Sequence, residues 1–185
     1  TTAVAPPSDL TQCSAEQLIG LYRSAQASPV EVTQAVLARI ERLNPLLNAF
    51  CLVAGEAALQ SARRSEARWQ AQRHGGAPVG LLDGVPTSIK DLILTQSWPT
   101  LRGSRTVDPM QSWDVDAPVT ARLREAGAVL IGKTNTPEFG CKAETNSPAS
   151  GITRNPWNTA KTPGGSSGGT AAAVAAGLGP LGVGT

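Results

Sequence analysis

The run "DAPVTARLREAGAVLIG", residues 116–132, places a helix directly before a buried strand. Pro118 stands in the first helical turn, Leu123 falls on the inner side, and Gly127 is placed to end the helix. The following "AVLIG" has no polar residue, which is typical of a strand in a sheet covered on both faces. A helix, a strand and a further helix later in the chain predict an α/β fold.

Capping boxes and turn residues delimit the other elements. "SAEQ" (residues 14–17) and "SPVE" (residues 28–31) mark two helix starts, and Asn44-Pro45 is expected to end the second helix. We predict helices over residues 15–25, 29–44 and 55–73, and a further helix from the glycine-rich motif to about Ala176. Strands are predicted over residues 48–53 and 85–89, and another strand is expected to start within residues 177–185. Residues 135–161 are predicted to form loops.

Composition narrows the class of protein. The chain has 185 residues, 41% hydrophobic and 16% charged, as expected for one globular domain. A net charge of +2 without a basic stripe does not suggest a nucleic acid partner, and no run is long and apolar enough to predict a membrane span. Three widely spaced cysteines and one histidine argue against a disulfide framework or a metal site. We expect reduced, mostly buried thiols and a cytoplasmic protein.

A Walker A pattern occurs in "GAVLIGKT", residues 127–134. A phosphate-binding loop needs a strand before its first glycine and a flexible loop between the glycines. Here a helix precedes Gly127, and the residues between the glycines are strand formers. The context therefore argues against nucleotide binding.

A nucleophile-elbow pattern, G-x-S-x-G, fits twice in "GGSSGG", centred on Ser166 and Ser167. An elbow requires a strand that runs into the serine, whereas "NPWNTAKTP" precedes it here. The only histidine, His74, lies far upstream near the end of a predicted helix. A histidine-based triad is therefore disfavoured.

Lys90 is the remaining candidate for a base to act with the serine loop. It ends "VPTSIK", where strand alternation places it on the face of Ser88 and opposite Ile89. Burial would lower the lysine pKa from about 10.4 and allow the neutral amine to accept a serine proton. The alternative is a lysine that reaches solvent or pairs with Asp91. The glycines before the alanine-rich helix could also present N–H donors to an anion.

Four segments in order resemble the amidase signature family: "GVPTSIKDL" (84–92), "GAVLIGKTNTPEFG" (127–140), "GITRNPWNTAKTPGGSSGGTAAAVAAG" (151–177) and "PLGVGT" (180–185). The resemblance covers essentially the whole chain. It implies an α/β fold with a mixed β-sheet core and helices on both faces. Residues 1–185 would be the N-terminal portion of a single amidase domain that continues beyond Thr185.

The resemblance also implies the roles of individual residues. The family uses a serine–cis-serine–lysine triad, in which Lys90 corresponds to the lysine and Ser166 to the bridging serine. The Gly165–Ser166 peptide bond is then expected to be cis. Ser167 corresponds to a supporting hydrogen-bonding residue, and Gly165 and Thr185 take further supporting places. The family's nucleophilic serine lies in a "GGS" segment that would follow Thr185, so the chain alone is expected to be inactive.

The implied function is hydrolysis of a carboxamide C–N bond through an acyl-enzyme, without a metal or organic cofactor. The implied partners are a small-molecule amide and the remainder of the amidase fold, on the same or a second chain, and a homodimer is left open. The first alternative function is that of an amidotransferase A subunit that acts on mischarged tRNA. Two further candidates are an α/β-hydrolase esterase and a nucleotide-binding module.

Overall fold

The computed structural model describes residues 9–185, and in this range the chain forms helices and strands in alternation. In chain order the main elements are α1 (Ala15–Arg23), α2 (Pro29–Leu47), β1 (Phe50–Val53), α3 (Gly55–Arg73), β2 (Pro86–Lys90), α4 (Pro118–Glu125), β3 (Val129–Thr134), β4 (Asn146–Ser147), β5 (Gly151–Ile152), α5 (Gly168–Ala175) and β6 (Leu181–Val183). Two short 3₁₀ helices cover Leu10–Gln12 and Glu138–Gly140.

The first two helices begin where the capping boxes predict. Ser14 Oγ accepts a hydrogen bond from the backbone N–H of Gln17, and the Gln17 side chain accepts from the Ser14 N–H in return. Ser28 and Glu31 make the same reciprocal pair at the start of α2. Each box supplies partners for N–H groups that the helix itself leaves unpaired.

The predicted end of α2 at Asn44-Pro45 is wrong, because the helix continues to Leu47 with the proline inside it. Tertiary contacts outweigh the loss of one N–H donor at the proline. Leu47 is buried, and Asn44 Oδ1 accepts hydrogen bonds from the backbone N–H groups of Ala49 and Phe50. The Asn44 side chain thus joins the helix to the start of β1.

The larger sheet has the strand order β1-β3-β2-β6 and is mixed. β2 runs parallel to both β3 and β6, whereas β1 runs antiparallel to β3. The pairing of β2 with β3 is irregular, since Thr87 lies opposite Leu130 but Ser88 lies opposite Gly132. All six residues of β3 are buried. The apolar sequence predicted this for residues 128–132, and the burial extends to Lys133 and Thr134.

Apolar side chains cover both faces of this sheet, which confirms the predicted layered α/β architecture. On one face, Val129 and Ile131 join a core formed with α1, α2, α3 and α5. On the other face, Ile89 and Leu130 pack with Leu123 of α4. β2 is therefore enclosed from both sides, and a polar side chain at its end must find partners inside the protein.

The region predicted as loop, residues 135–161, contains the small β4–β5 hairpin. The expectation of mostly buried thiols is wrong: Cys13 is buried, whereas Cys51 and Cys141 are exposed. Cys51 lies on the edge strand β1, and Cys141 follows a surface 3₁₀ helix. Between residues 9 and 185, no helix has the length and apolar character to cross a membrane, and no group of three or more metal-ligating side chains occurs.

Candidate active site

The side chain of Lys90, the last residue of β2, is fully buried and ends among three hydroxyl groups. Its Nζ lies 2.7 Å from Ser166 Oγ, 3.1 Å from Ser167 Oγ and 2.6 Å from Thr185 Oγ1. The structure therefore brings Lys90, both serines and Thr185 together, although 76 positions separate Lys90 from Ser166 in the sequence.

Burial lowers the pKa of Lys90 below its usual value, because desolvation disfavours the ammonium form. The alternative in which Lys90 reaches solvent or pairs with Asp91 is wrong. Lys90 has no exposed surface, and Asp91 Oδ1 lies 3.8 Å from Nζ of another lysine, Lys133. Across the described part of the chain, no carboxylate forms an ion pair with Lys90.

The serine loop, residues 164–168, leads directly into α5, and its backbone is confined. The peptide bond between Gly165 and Ser166 is cis. A Cβ atom at Gly165 would lie 2.8 Å from the backbone N and C atoms of Glu144, closer than non-bonded atoms can approach. Glycine at this position therefore lets the chain pass Glu144 and present Ser166 to Lys90.

Thr145 joins the two ends of the serine loop. Its buried Oγ1 donates a hydrogen bond to Gly164 O at 2.9 Å and accepts one from Gly168 N at 3.0 Å. No motif in the sequence pointed to this residue, because it lies in an aperiodic segment that gives no local sign of contact with residues 164–168. Thr145 thus ties together the residues on either side of the two serines.

The start of α5 is not an open anion site at its first two N–H groups. Gly168 N donates to Thr145 Oγ1, and Gly169 N donates to Asn135 O at 3.2 Å. A Cβ atom at Gly169 would clash with the backbone of Asn135, so close packing accounts for this glycine. The notion that these glycines present N–H donors to a ligand is wrong for both positions.

Thr185 reaches the site because β6 pairs with β2, with Val183 opposite Ile89. Two hydrogen bonds then tie Thr185 to Ser167: the Thr185 N–H donates to Ser167 Oγ, and Ser167 Oγ donates to Thr185 O, each at 3.1 Å. Sheet pairing and the serine loop therefore meet at the amine of Lys90.

Comparison with known proteins shows the family to which the chain belongs. The Amidase family model matches residues 31–185. The chain belongs to the Amidase family. The resemblance to amidase signature enzymes is thereby confirmed, and the fold of those enzymes agrees with the mixed sheet described above.

Several relatives of this amidase-family chain are known by sequence or structure. The A subunit of glutamyl-tRNA(Gln) amidotransferase from Thermobifida fusca (strain YX) is 45% identical over 177 residues, which are 96% of this chain and 34% of that protein. A bacterial aryl acylamidase has a TM-score of 0.84 and 36% identity over 92% of this chain and 34% of its own. The 6-aminohexanoate cyclic dimer hydrolase has a TM-score of 0.80 and 37% identity over 95% and 34%. The chain spans about a third of the length of the curated relatives it matches.

The hydrogen-bond capacity of the site limits how a neutral Lys90 can be oriented. Ser167 Oγ already donates to Thr185 O, so Lys90 must donate to Ser167. A neutral amine has one more N–H and one lone pair. If that N–H is donated to Thr185 Oγ1, the lone pair faces the hydroxyl of Ser166 at 2.7 Å. This amidase-family site can therefore hold an amine that is ready to accept a proton from Ser166.

The competing motifs have structural explanations in the same chain. In the Walker-like match, β3 begins at Val129, two positions after Gly127, so the glycines are joined by strand rather than by a loop that could wrap a phosphate. No strand runs into Ser166, since the preceding β5 ends at Ile152. His74 is the exposed residue that ends α3. Neither the nucleotide-binding nor the esterase hypothesis has the local structure it needs.

Proposed function

We propose that the complete protein cleaves the C–N bond of a carboxamide through an acyl-enzyme, and that Lys90 and Ser166 carry the proton. The observation that carries this proposal is the buried Lys90 amine 2.7 Å from Ser166 Oγ, with its pKa lowered by burial. Ser167, Gly165 and Thr185 support this pair. The nucleophile is a serine in the part of the amidase fold that follows Thr185.

The proton moves in a closed cycle. The lone pair of neutral Lys90 accepts the hydroxyl proton of Ser166, while Ser166 Oγ accepts the proton of the nucleophilic serine. The oxygen of that nucleophilic serine bonds to the amide carbonyl carbon. When the C–N bond breaks, the proton returns through Ser166 to the leaving nitrogen, which departs as ammonia or an amine. Water then attacks the acyl-enzyme by the same relay and releases a carboxylic acid.

The similar solved structures and the curated relatives both support amide chemistry, but they differ in where the amide nitrogen goes after the C–N bond breaks. The similar solved structures include an aryl acylamidase and a cyclic dimer hydrolase, which favours hydrolysis of a small-molecule amide. The curated relatives at 41–45% identity are named as the A subunit of glutamyl-tRNA(Gln) amidotransferase, which favours transfer of the nitrogen to an aminoacyl-tRNA. Hydrolysis is our first candidate and transfer the second. In either case the partner that completes the site is the remainder of the amidase fold, and we propose a cytoplasmic location, with a homodimer as an option.

Kinetics of the complete protein test the assignment. Ammonia release from a panel of carboxamides is measured for the wild type, Lys90→Met, Ser166→Ala and the control Lys142→Met, which changes an exposed lysine. We expect Lys90→Met and Ser166→Ala to lose most activity and Lys142→Met to keep it. In the wild type, kcat/KM should rise with pH as Lys90 loses its proton, and full activity of Lys90→Met would overturn the relay.

The same preparation separates the two candidate functions. Residues 1–185 expressed alone should release no ammonia, because the proposed nucleophile lies in the part of the amidase fold that follows Thr185. For the complete protein, ammonia released from simple amides at a rate independent of partners supports hydrolysis. Nitrogen that appears only in amidated glutamyl-tRNA, and only with partner subunits present, supports transfer.

A further inference from the structure

A second buried lysine, Lys133 of β3, lies across the sheet from the serine loop and takes no part in the proposed reaction. It has no exposed surface. Its Nζ donates to Ile93 O at 2.6 Å and to Thr100 Oγ1 at 2.8 Å, with Thr95 Oγ1 at 3.4 Å. Burial lowers the pKa of Lys133 to about 8, so the amine is mostly protonated at neutral pH and can donate to all three oxygens.

One residue connects Lys133 to Lys90. The N–H of Ile93 donates to Lys90 O at 3.0 Å, and the carbonyl of the same Ile93 accepts from Lys133 Nζ. Thr100 Oγ1 also donates to that carbonyl at 3.4 Å. The turn that follows Lys90 is therefore closed by the hydrogen bond from Ile93 N to Lys90 O, and the Lys133 ammonium group holds the carbonyl of Ile93.

Asp91, the residue after Lys90, completes this support. Its Oδ1 lies 3.8 Å from Lys133 Nζ, and its Oδ2 accepts from Gly103 N at 3.4 Å. Its own N–H donates to Thr134 O at 2.9 Å, which continues the pairing of β2 with β3. Burial raises the pKa of Asp91 to about 6, and the positive charge of Lys133 opposes that rise. At neutral pH the two side chains form a buried pair of opposite charges.

We propose that Lys133 and Asp91 are positioning residues for the candidate base Lys90, an inference that rests on the proposed function. Lys90 is the last residue of β2, so the strand fixes its backbone on one side and the turn of residues 90–93 fixes it on the other. A rotation in this turn would swing Nζ away from the three hydroxyls. The pair prevents that rotation from the opposite face of the sheet, without touching the substrate or the reacting atoms.

The test uses the complete protein with the double variant Asp91→Asn/Lys133→Met, which removes both charges together and leaves neither one buried alone. We expect kcat to fall about 10²-fold with KM unchanged, the size of effect that a displacement of about 1 Å can produce. The acid limb of the kcat/KM profile should also move to higher pH, because a displaced Lys90 amine becomes hydrated and its pKa returns toward the usual value. A purely structural role would lower stability and leave that limb in place.

Thr120→Val is the matched control, because Thr120 is a buried threonine whose hydroxyl donates to the nearby carbonyl of Leu94 without contacting Lys133. It should leave kcat and the acid limb unchanged. Thr100→Val, which removes the hydroxyl shared by Lys133 and Ile93 O, should change both in the same direction as the double variant but less.

The outcomes separate this inference from the proposed function. If Lys90→Met is inactive while the folded double variant keeps the wild-type kcat and acid limb, the positioning role is overturned and the relay stands. If the double variant does not fold, an unchanged kcat and acid limb in Thr100→Val overturns the inference instead. Activity that survives Lys90→Met overturns the proposed function itself.

Discussion

Thr145→Val removes the single hydroxyl that holds both ends of the serine loop while nearly preserving the shape of the side chain. The variant leaves the N–H of Gly168 without its acceptor and the carbonyl of Gly164 without its donor. Gly168 is buried, so its unpaired N–H costs about 1–3 kcal/mol. Gly164 is only half-buried, and water can replace its lost donor. We expect the free energy of unfolding to fall by about 2 kcal/mol.

Thr33→Val is the matched control for this prediction. Thr33 is also fully buried, but its Oγ1 has no hydrogen-bond partner among the described residues. The same substitution there removes an unsatisfied polar atom, so stability should stay constant or rise. The assay is urea unfolding of the complete protein, combined with kcat for amide cleavage, which should fall in Thr145→Val alone. Equal losses of stability in both variants would refute the role of Thr145 as the tie across the loop.

Two further predictions concern the backbone of the serine loop and the buried acid next to Lys90. Gly165→Ala should abolish amide cleavage, because the added Cβ would clash with the backbone of Glu144. The control Gly20→Ala lies in helix α1 with open space around it, so it should keep activity and raise the free energy of unfolding by up to about 1 kcal/mol. Loss of activity in both variants would contradict a specific role of Gly165. Burial raises the pKa of Asp91 to about 6 in the folded protein, above its value in the unfolded chain. Lowering the pH from 7 to 5 should therefore raise the free energy of unfolding of the wild type relative to that of Asp91→Asn, as measured by urea unfolding. If the difference in free energy of unfolding between the wild type and Asp91→Asn is the same at both pH values, the pKa of Asp91 is not raised.

Local sequence signals predicted the elements whose ends are set by neighbouring residues. The capping boxes at Ser14 and Ser28 determine the two helix starts through bonds three residues apart, and the structure confirms both. The end of α2 depends instead on the burial of Leu47 in the core and on the hydrogen bonds from Asn44 to the start of β1. Proline chemistry alone could not reveal those contacts, so the predicted end was wrong.

Which serine of the loop the Lys90 amine meets could not be predicted from local sequence for the same reason. Burial of a strand-end lysine follows from the apolar run before it, but the identity of its partner depends on how α5 and β6 pack against β2. Elimination of histidine left Lys90 as the candidate base for the serine loop, and the resemblance of whole motifs in order then singled out Ser166. Thr145 belonged to no recognised motif, and its role emerged from the three-dimensional contacts alone.

The irregular pairing of β2 with β3 accounts for the opposite roles of the two buried lysines. Strict alternation from Val129 would place Lys133 on the same face as Ile131. Because the pairing skips Ile131, Lys133 comes to lie opposite Ile89 and Thr134 opposite Lys90. The Lys133 ammonium group therefore lies near a carboxylate on one face, while the Lys90 amine contacts three hydroxyls on the opposite face.

The irregular pairing of β2 with β3 also accounts for the last three residues of the Walker-like match, without any role in phosphate binding. Gly132 lies next to the skipped position, where a Cβ atom would collide with the carbonyl oxygen of Leu52 in the neighbouring strand. Lys133 supports the turn after Lys90, and Thr134 shares a hydrogen bond of 2.6 Å with Thr170 of α5. Each residue of "GKT" thus has a structural contact around β3: Gly132 approaches the neighbouring strand closely, and Lys133 and Thr134 make buried hydrogen bonds.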